Sequence, residues 1–197
     1  MAGARAPGGA AWAVAAAVPD PELPVLTLAD LGVLAEVTED GGTVTAWLTP
    51  TYSGCPAVAE MAADVDRRLR AAGFADVRVR LRLDPPWSTD LITAEGRRKL
   101  AEAGIAPPRP GAATGARRGG STPLSLGPTR LADAAGGGDA PDSEGGAGSA
   151  DAAVAPVGCP RCGGTDTEEL SRFGSTACKA LWRCRDCREP FERVKEI

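Results

Sequence analysis

The stretch "GVLAEVTEDGGTVTAWLTPTYSGCPA", residues 32–57, contains the change of pattern that decides the fold. Its two segments GVLAEVT and TVTAWLT alternate loosely between apolar and polar residues around EDGG, which predicts a β-hairpin. A loop with Cys55 follows, and from Pro56 onward apolar residues recur at helical spacing. Pro56 suits the first helical turn and Gly73 suits the exit. We therefore expect two strands, a loop and a helix.

The flanking segments extend this pattern to a small domain over residues 11–105. WAVAAAV (12–18) predicts a short helix that ends before the prolines of PDPELP. AEGRRKLAEAG (94–104) predicts a last helix. Between them, DVRVRLRL (76–83) alternates strictly and predicts a strand with one apolar face and one charged face. The apolar face would hold Val77, Val79, Leu81 and Leu83, and the charged face Asp76, Arg78, Arg80 and Arg82.

The order helix, two strands, helix, strand, helix predicts an α+β fold, with a small mixed sheet and helices on one side. The arginines of the third strand could be a solvated face, a docking face for an acidic partner or a nucleic-acid contact. We favour the first two, because the formal net charge of the chain is -4 and gives no global attraction to nucleic acid.

Residues 106–157 differ in composition from the rest of the chain. They contain 11 Gly and 7 Pro in 52 residues and no aromatic residue. Such a segment has too few apolar side chains to bury a core, so we expect a long disordered Gly/Pro/Ala linker. Its expected role is to tether two domains.

The chain has no histidine and six cysteines. The first fact excludes imidazole-based acid–base catalysis, catalytic triads with histidine and every metal site that uses histidine. Five of the cysteines lie close together after residue 157, and four of these form two CxxC pairs. Paired CxxC units favour metal binding in a reducing compartment over a disulfide framework.

Residues 158–193 are predicted to form a zinc ribbon. Cys159 and Cys162 form the first CxxC pair, and Cys184 and Cys187 form the second. Four thiolates fill the tetrahedral positions of Zn(II) and leave none for water or substrate, so the expected zinc is structural. The same cage would also suit rubredoxin-like iron. Opposite charges nearly balance in this segment, which favours protein contact over nucleic-acid binding.

Cys55 has two interpretations. At a helix start, the free N–H groups and the helix dipole would lower the pKa of the thiol and favour a reactive or metal-binding sulfur. Thr51 and Ser53 would supply hydroxyl groups nearby. Alternatively, Cys55 is a small buried hydrophobic residue at a tight turn. A cysteine-protease mechanism is disfavoured, because there is no histidine base.

Cys178 is left over when both CxxC pairs bind one metal ion. Beside Lys179 it could be a reactive thiol, or it could pack under the ribbon. If the linker folds back, Cys178 and Cys55 could face each other, as in a thiol redox protein.

The N-terminal run "MAGARAPGGAAWAVAAAVPDPE" superficially resembles a signal peptide, but its apolar part is short and the charge before it is weak. No window reaches the ~20 apolar residues that span a membrane. We expect a cytoplasmic protein with no membrane and no nucleic-acid partner.

Four separated segments of the sequence resemble one family. They are "VPDPELPVLTLADLGVL", "TPTYSGCPA", "DPPWSTDLITAEGRRKLAEAGIAPP" and "CPRCGGTDTEELSRFGSTACKALWRCRDCREPF". In this order they resemble the PaaD-type subunit encoded with the bacterial phenylacetyl-CoA epoxidase, over residues 11–108 and 158–193. The linker looks longer and richer in Gly and Ala than the family pattern.

The resemblance implies that the first domain is similar to iron–sulfur-assembly domains, whose recurrent functional marks fall here on Asp20, Pro21, Glu22 and Cys55. It implies an accessory role in aerobic phenylacetate catabolism: delivery of iron or an iron–sulfur cluster to the di-iron oxygenase or the iron–sulfur reductase component. The alternative is a structural or coupling subunit without metal transfer. We expect no catalysis by this chain itself, because it lacks the ExxH helices of di-iron centres and the Gly-rich fingerprints of nucleotide cofactors.

Overall fold

The computed structural model describes residues 9–52, 54–111 and 156–196. In the first domain, the helices are α1 (Ala10–Ala16), α2 (Leu28–Leu31), α3 (Val58–Ala71) and α4 (Ala94–Glu102), with one 3₁₀ turn at Thr89–Leu91. The strands there are β1 (Leu34–Asp40), β2 (Thr43–Leu48) and β3 (Asp76–Leu81). A short strand β4 (Ile105–Ala106) follows, and the ribbon adds β5 (Thr167–Ser171), β6 (Lys179–Cys184) and β7 (Pro190–Val194).

The first sheet has the order β1-β2-β3 and is mixed, because β1 and β2 are antiparallel and β2 and β3 are parallel. The hairpin turn uses Gly41 and Gly42, both at positive φ. Helices α1 and α3 contact each other, and they contact β1 and β3 respectively. The α+β fold class with a mixed sheet is therefore confirmed.

The core of this domain lies between the sheet and the helices. Strand β2 alternates as expected, with Val44, Ala46 and Leu48 buried. Helix α3 turns Met61, Val65 and Leu69 inward at spacings of four residues. Truncating a fully buried leucine to alanine typically costs about 2–5 kcal/mol.

The opposite face of the sheet carries Trp47 and the arginines of β3. The guanidinium carbons of Arg80 and Arg82 lie 5.8 and 5.0 Å from the centre of the Trp47 ring, and Arg82 also pairs with Glu36 at 2.7 Å. These arginines therefore have partners within the chain. Leu81 is half exposed and Leu83 is 60% exposed, so the expected apolar face of this edge strand is buried only at its beginning.

Several contacts hold the segment after β3 against the first half of the domain. The indole nitrogen of Trp87 donates to the Leu31 carbonyl at 3.0 Å, and Lys99 pairs with Asp30 at 2.7 Å. Gly96 lets α4 approach α2 closely, since a Cβ there would lie 2.7 Å from the Asp30 carbonyl oxygen. The guanidinium of Arg97 donates to the backbone carbonyls of Thr89 and Pro108.

Residues 106–111, which the composition assigned to the linker, belong to the folded structure. Strand β4 pairs in parallel with β7 of the ribbon, giving a second mixed sheet of order β4-β7-β6-β5. Pro108 is fully buried and Arg109 pairs with Glu196 at 3.0 Å. The predicted start of the linker at residue 106 is therefore too early, because composition does not reveal that this strand completes a distant sheet. Residues 112–155 of the predicted linker lie outside the described residues.

The ribbon has a small core of its own and also joins the core of the first domain. Its cluster includes Ala106, Val157, Trp182 and Phe191, while Val194 belongs to the main core. The two domains therefore pack as neighbours. Across the described ranges, no helix combines the length and apolar character required to cross a bilayer.

Candidate functional site

The first candidate site is the cluster of four ribbon cysteines. The Sγ atoms of Cys159, Cys162, Cys184 and Cys187 all lie within 4.8 Å of one another. Two of the separations are 3.8 Å, between Cys159 and Cys187, and 3.6 Å, between Cys162 and Cys184. A tetrahedral ion with Zn–S bonds of about 2.3 Å places its sulfurs about 3.8 Å apart. The spacing of these thiols fits a zinc ion.

Two tight turns place these thiols. In the first, Gly163 donates to the Cys159 carbonyl and adopts φ +76°, and Gly164 N–H points at the Cys162 sulfur at 3.4 Å. In the second, Cys184 N–H bonds to the Glu189 carbonyl, and Arg188 has φ +63°. Backbone N–H groups near thiolates are typical of metal-binding turns, because they stabilise the negative sulfur.

The second candidate site is a small cavity between the first domain and the ribbon. Its interior volume of about 20 Å³ is enough for one water molecule or ion. Its polar lining comes from Asp20, Glu22, Thr51, Cys55 and Cys178, and its apolar lining from Leu23, Leu31, Met61, Trp87 and Val194. Cys55 and the two acidic residues of the DPE segment are thus neighbours, and Cys178 joins them. Ser53 lies outside the described residues.

Cys55 does not lie at the N-cap of α3. The N-cap is Ala57, and Cys55 precedes it by two residues, within a turn where its own N–H donates to the Tyr52 carbonyl at 3.2 Å. The thiol is half-buried and packs against the main core. Cys55 thus lies just before the helix start, separated from it by the turn that Pro56 and Ala57 form.

The pKa of Cys55 is raised, in contrast to the lowered value expected from a helix start. Burial is the main cause, and the nearby carboxylates of Glu22 and Asp20 add to it. The Ala57 N–H and the Thr51 hydroxyl act in the opposite direction but are weaker. Without a bound cation, the thiol form is favoured here. A positive ion in the cavity would reverse that preference.

Asp20 is almost fully buried, with 5% of its surface exposed. Its Oδ1 atom accepts hydrogen bonds from the N–H groups of Leu23 at 2.7 Å and Glu22 at 2.9 Å. Burial raises the pKa of Asp20, and these two bonds only partly offset that effect. Asp20 therefore shapes the DPE turn, and Glu22 is left as the half-buried carboxylate on the cavity wall.

Cys178 belongs to the loop between β5 and β6. Its thiol lies 3.1 Å from the Thr176 hydroxyl, and burial raises its pKa, with smaller contributions from Glu22 and Asp20. Neighbouring Lys179 points away from solvent and pairs with Glu192 at 2.7 Å. The ribbon thus brings a second thiol to the cavity of the first domain.

Sequence reasoning did not anticipate Trp87 or Met61 as walls of this cavity. Met61 was predicted only as an apolar position of α3, and Trp87 carried no periodic signal. Trp87 is held by its bond to Leu31 across 56 residues, a contact that no local pattern encodes.

Two family models match the chain. Residues 10–86 match the model described as "Iron-sulfur cluster assembly protein", and residues 143–195 match the model described as "PaaD zinc beta ribbon domain". The first contains Asp20, Glu22 and Cys55, and the second contains the four clustered thiols and Cys178.

One relative matches almost the whole chain. It is an Escherichia coli K12 protein named as the D-type subunit of a "Putative 1,2-phenylacetyl-CoA epoxidase", 39% identical over 186 residues, which cover 94% of this chain and 91% of the relative. Two solved structures are each 28% identical to this chain, and the match covers 87% of each of them. A domain of unknown function from Bacillus anthracis matches 46% of this chain with a TM-score of 0.43, and a conserved hypothetical protein from Thermotoga maritima matches 45% with a TM-score of 0.38.

Proposed function

The chain belongs to the PaaD-type family of 1,2-phenylacetyl-CoA epoxidase subunits, and from this premise we propose that it is an accessory protein that delivers metal to a phenylacetyl-CoA epoxidase. In this proposal the cargo is iron or an iron–sulfur cluster. The client is the di-iron oxygenase component or the iron–sulfur reductase component, and the protein acts in the cytoplasm. The chain itself performs no ring epoxidation.

One observation carries the proposal: the half-buried thiol of Cys55 shares a small cavity with Asp20 and Glu22. Thiolate sulfur and carboxylate oxygen are ligands that iron accepts. Because the cavity is small and the thiol is only partly covered, a metal species held there could be exchanged with a client. These residues come from two loops of the part that matches the iron–sulfur cluster assembly model.

The four ribbon thiols have a different role in the proposal. Cys159, Cys162, Cys184 and Cys187 would hold a structural Zn(II), with every tetrahedral position filled by sulfur. The zinc would stabilise the ribbon, whose own core is small. The ribbon then serves as the contact surface for client proteins.

A second candidate function is a structural or coupling subunit of the oxygenase without metal transfer. It is favoured by two apolar side chains that the ribbon exposes, Phe173 at 79% and Leu170 at 46%. Exposed aromatic residues are common at protein interfaces. This function predicts a stable stoichiometric complex, so co-expressed components should elute together in size-exclusion chromatography.

The deciding experiment purifies the oxygenase and reductase components from five strains, which carry the wild-type protein, Cys55→Ser, Cys55→Ala, Leu69→Met or a deletion of its gene. Bound iron and phenylacetyl-CoA turnover are measured for each strain. Leu69→Met, a volume-conserving change in the core away from the cavity, is the control, and immunoblots check that each variant is present at wild-type level.

Iron-poor, inactive enzyme in both cysteine variants and in the deletion strain, with Leu69→Met normal, is the expected result. Full iron and full turnover with Cys55→Ser and Cys55→Ala would overturn the metal-transfer role. If those variants co-elute stoichiometrically with the epoxidase while activity is lost only in the deletion strain, the coupling function is supported instead.

A further inference from the structure

The cavity beside Cys55 is built by both domains. The DPE segment contributes Glu22, the loop before α3 contributes Cys55, and the ribbon contributes Cys178. Neither domain alone encloses the space, since Val194 of β7 forms part of the wall. With Asp20, which the DPE segment also contributes, two sulfurs and two carboxylates from three separate segments line a volume of about 20 Å³.

The loop that carries Cys178 is held firmly by the ribbon. The Cys178 carbonyl accepts a hydrogen bond from the Lys195 N–H at 2.9 Å, and the Lys195 ammonium donates to the Ala177 carbonyl at 2.7 Å. Glu192 accepts from the Ser175 N–H and from the Lys179 ammonium, both at 2.7 Å. These bonds fix the loop from both sides, so the position of Cys178 is set by the ribbon fold.

The groups around the cavity have an excess of potential negative charge. Asp20, Glu22, Cys55 and Cys178 can all become anionic, and the ammonium of Lys179, the basic group that acts on Cys178, is already engaged by Glu192. The same groups act on Tyr52. Burial raises the pKa of its phenol, and the negative charges of Cys55, Glu22 and Cys178 raise it further. A bound cation would neutralise this cluster.

A thiol at position 178 fills space as a small apolar residue would, and it also places a second sulfur donor in the wall that holds Glu22 and Cys55. A Cys55–Cys178 disulfide would need an oxidant, and its formation would remove both donors. Sulfur and carboxylate donors around a space of ionic size match the coordination preferences of thiophilic divalent metals.

We propose that Cys178 is the second sulfur ligand of the Cys55 site, so that one thiophilic divalent metal ion of the iron(II) class binds between the two domains through Cys55, Cys178 and Glu22. This inference rests on the proposed function and specifies its site. Within the described residues, only the ribbon thiols form a set of three or more such ligand atoms mutually within 4.8 Å. The interdomain donors are spaced more widely than that, so binding of the ion requires the side chains of Cys55, Cys178 and Glu22 to turn toward it.

The test is a titration with Co(II), under anaerobic conditions, of the full-length chain loaded with one Zn(II) per molecule. Zinc binds such sites more tightly than cobalt, so the ribbon keeps its zinc and added cobalt reports on the second site. Cobalt bound per chain and the thiolate-to-cobalt charge-transfer absorption are measured for wild type, Cys55→Ser, Cys178→Ser and Cys178→Ala. Leu69→Met, a volume-conserving change in the core away from the cavity, is the control for repacking without loss of a donor.

Wild type and Leu69→Met are expected to bind one Co(II) with charge-transfer absorption. Each cysteine variant should lose about half of that absorption and bind about tenfold more weakly or worse. Wild-type binding by Cys178→Ser and Cys178→Ala, with loss only in Cys55→Ser, would overturn the role of Cys178 and leave the proposed function standing. Absence of cobalt binding in the wild type would overturn the interdomain site, while the cellular iron measurement would still decide the proposed function separately.

Discussion

The ammonium group of Lys179 lies 2.7 Å from the carboxylate of Glu192, and only 6% of the lysine side chain is exposed. Burial by itself would raise the pKa of Glu192, but the hydrogen bonds from Lys179 and Ser175 outweigh it and hold the pKa below its usual range. This ion pair connects the loop of Cys178 to β7. The position of a cavity thiol therefore depends on a charge pair in the ribbon.

Glu192→Gln should lower the free energy of unfolding by about 3 kcal/mol, because it leaves the buried Lys179 ammonium without its counter-charge. Lys179→Met should cost less, because Glu192 is 25% exposed and can be hydrated. Urea unfolding of the zinc-loaded chain measures both values. Arg98→Met, which removes two solvent-exposed ion pairs, is the control and should have little effect. A larger loss for Lys179→Met than for Glu192→Gln would contradict this assignment.

Acid should weaken the junction between β4 and the end of the ribbon through Glu196. The hydrogen bond from Arg109 holds the pKa of Glu196 below its usual range, and Arg193 adds to this effect. A carboxyl group with a lowered pKa in the folded state stabilises the folded protein. This contribution is complete above the pKa of the unfolded chain, near 4.5, and it is lost as the pH falls through the pKa of the folded state.

Glu196→Gln should therefore be less stable than wild type at pH 6–7, and the difference should shrink steadily below about pH 4.5. The free energy of unfolding in urea, measured across this range for both proteins, tests the sign. A difference that stays constant or grows on acidification is incompatible with the Arg109–Glu196 pair.

Gly96→Ala should destabilise the first domain although alanine is the better helix former by about 1 kcal/mol. The added Cβ would lie 2.7 Å from the Asp30 carbonyl oxygen and 3.2 Å from Ile92, so α4 would have to move away from α2. We expect a net loss of about 1–3 kcal/mol, measured by thermal or urea unfolding. Glu95→Ala, one residue earlier on the exposed side of α4, is the control. A stabilised Gly96→Ala protein would show that the two helices are not this close.

Removal of zinc should expose Cys55 as well as the ribbon thiols. In the proposed role a zinc ion stabilises the ribbon, and Val194 and Cys178 cover one side of the Cys55 cavity. Alkylation of each cysteine, followed by peptide mass spectrometry before and after chelation, gives residue-specific rates. The rate at Cys55 should rise several-fold after chelation and fall again when zinc is restored. An unchanged Cys55 rate would mean that the ribbon does not shield this thiol.

The secondary structure and the cluster of four ribbon thiols could be predicted from the sequence, because both depend on short-range patterns. The alternation of β2, the helical spacing of Met61, Val65 and Leu69, and the two CxxC pairs are all local. The mixed α+β sheet follows from their order.

The cavity could not be predicted from the sequence. Its walls come from distant segments of the chain, and the pKa values of its side chains depend on burial. Cys55 is near a helix start in sequence, yet the Pro56–Ala57 turn separates it from the helix and nearby carboxylates raise its pKa. Strand β4 was missed for a related reason: its two residues carry no local signal and gain a partner only when β7 docks from the far end of the chain. An approach of Cys178 to Cys55 could be proposed from the sequence, but whether the two thiols meet depends on the docking of β7.

The pairing of β4 with β7 also has a consequence for the segment of the chain between the two domains. Ala106, before the segment, and Val157, after it, belong to the same hydrophobic cluster. The folded parts themselves hold the two ends together, so spacing between domains does not depend on the number of residues in between. Between two fixed ends, doubling the length of a flexible connection costs only about 0.6 kcal/mol of closure entropy. We therefore expect that a fluorescent reporter inserted between residues 111 and 156 would leave the thiol cavity intact.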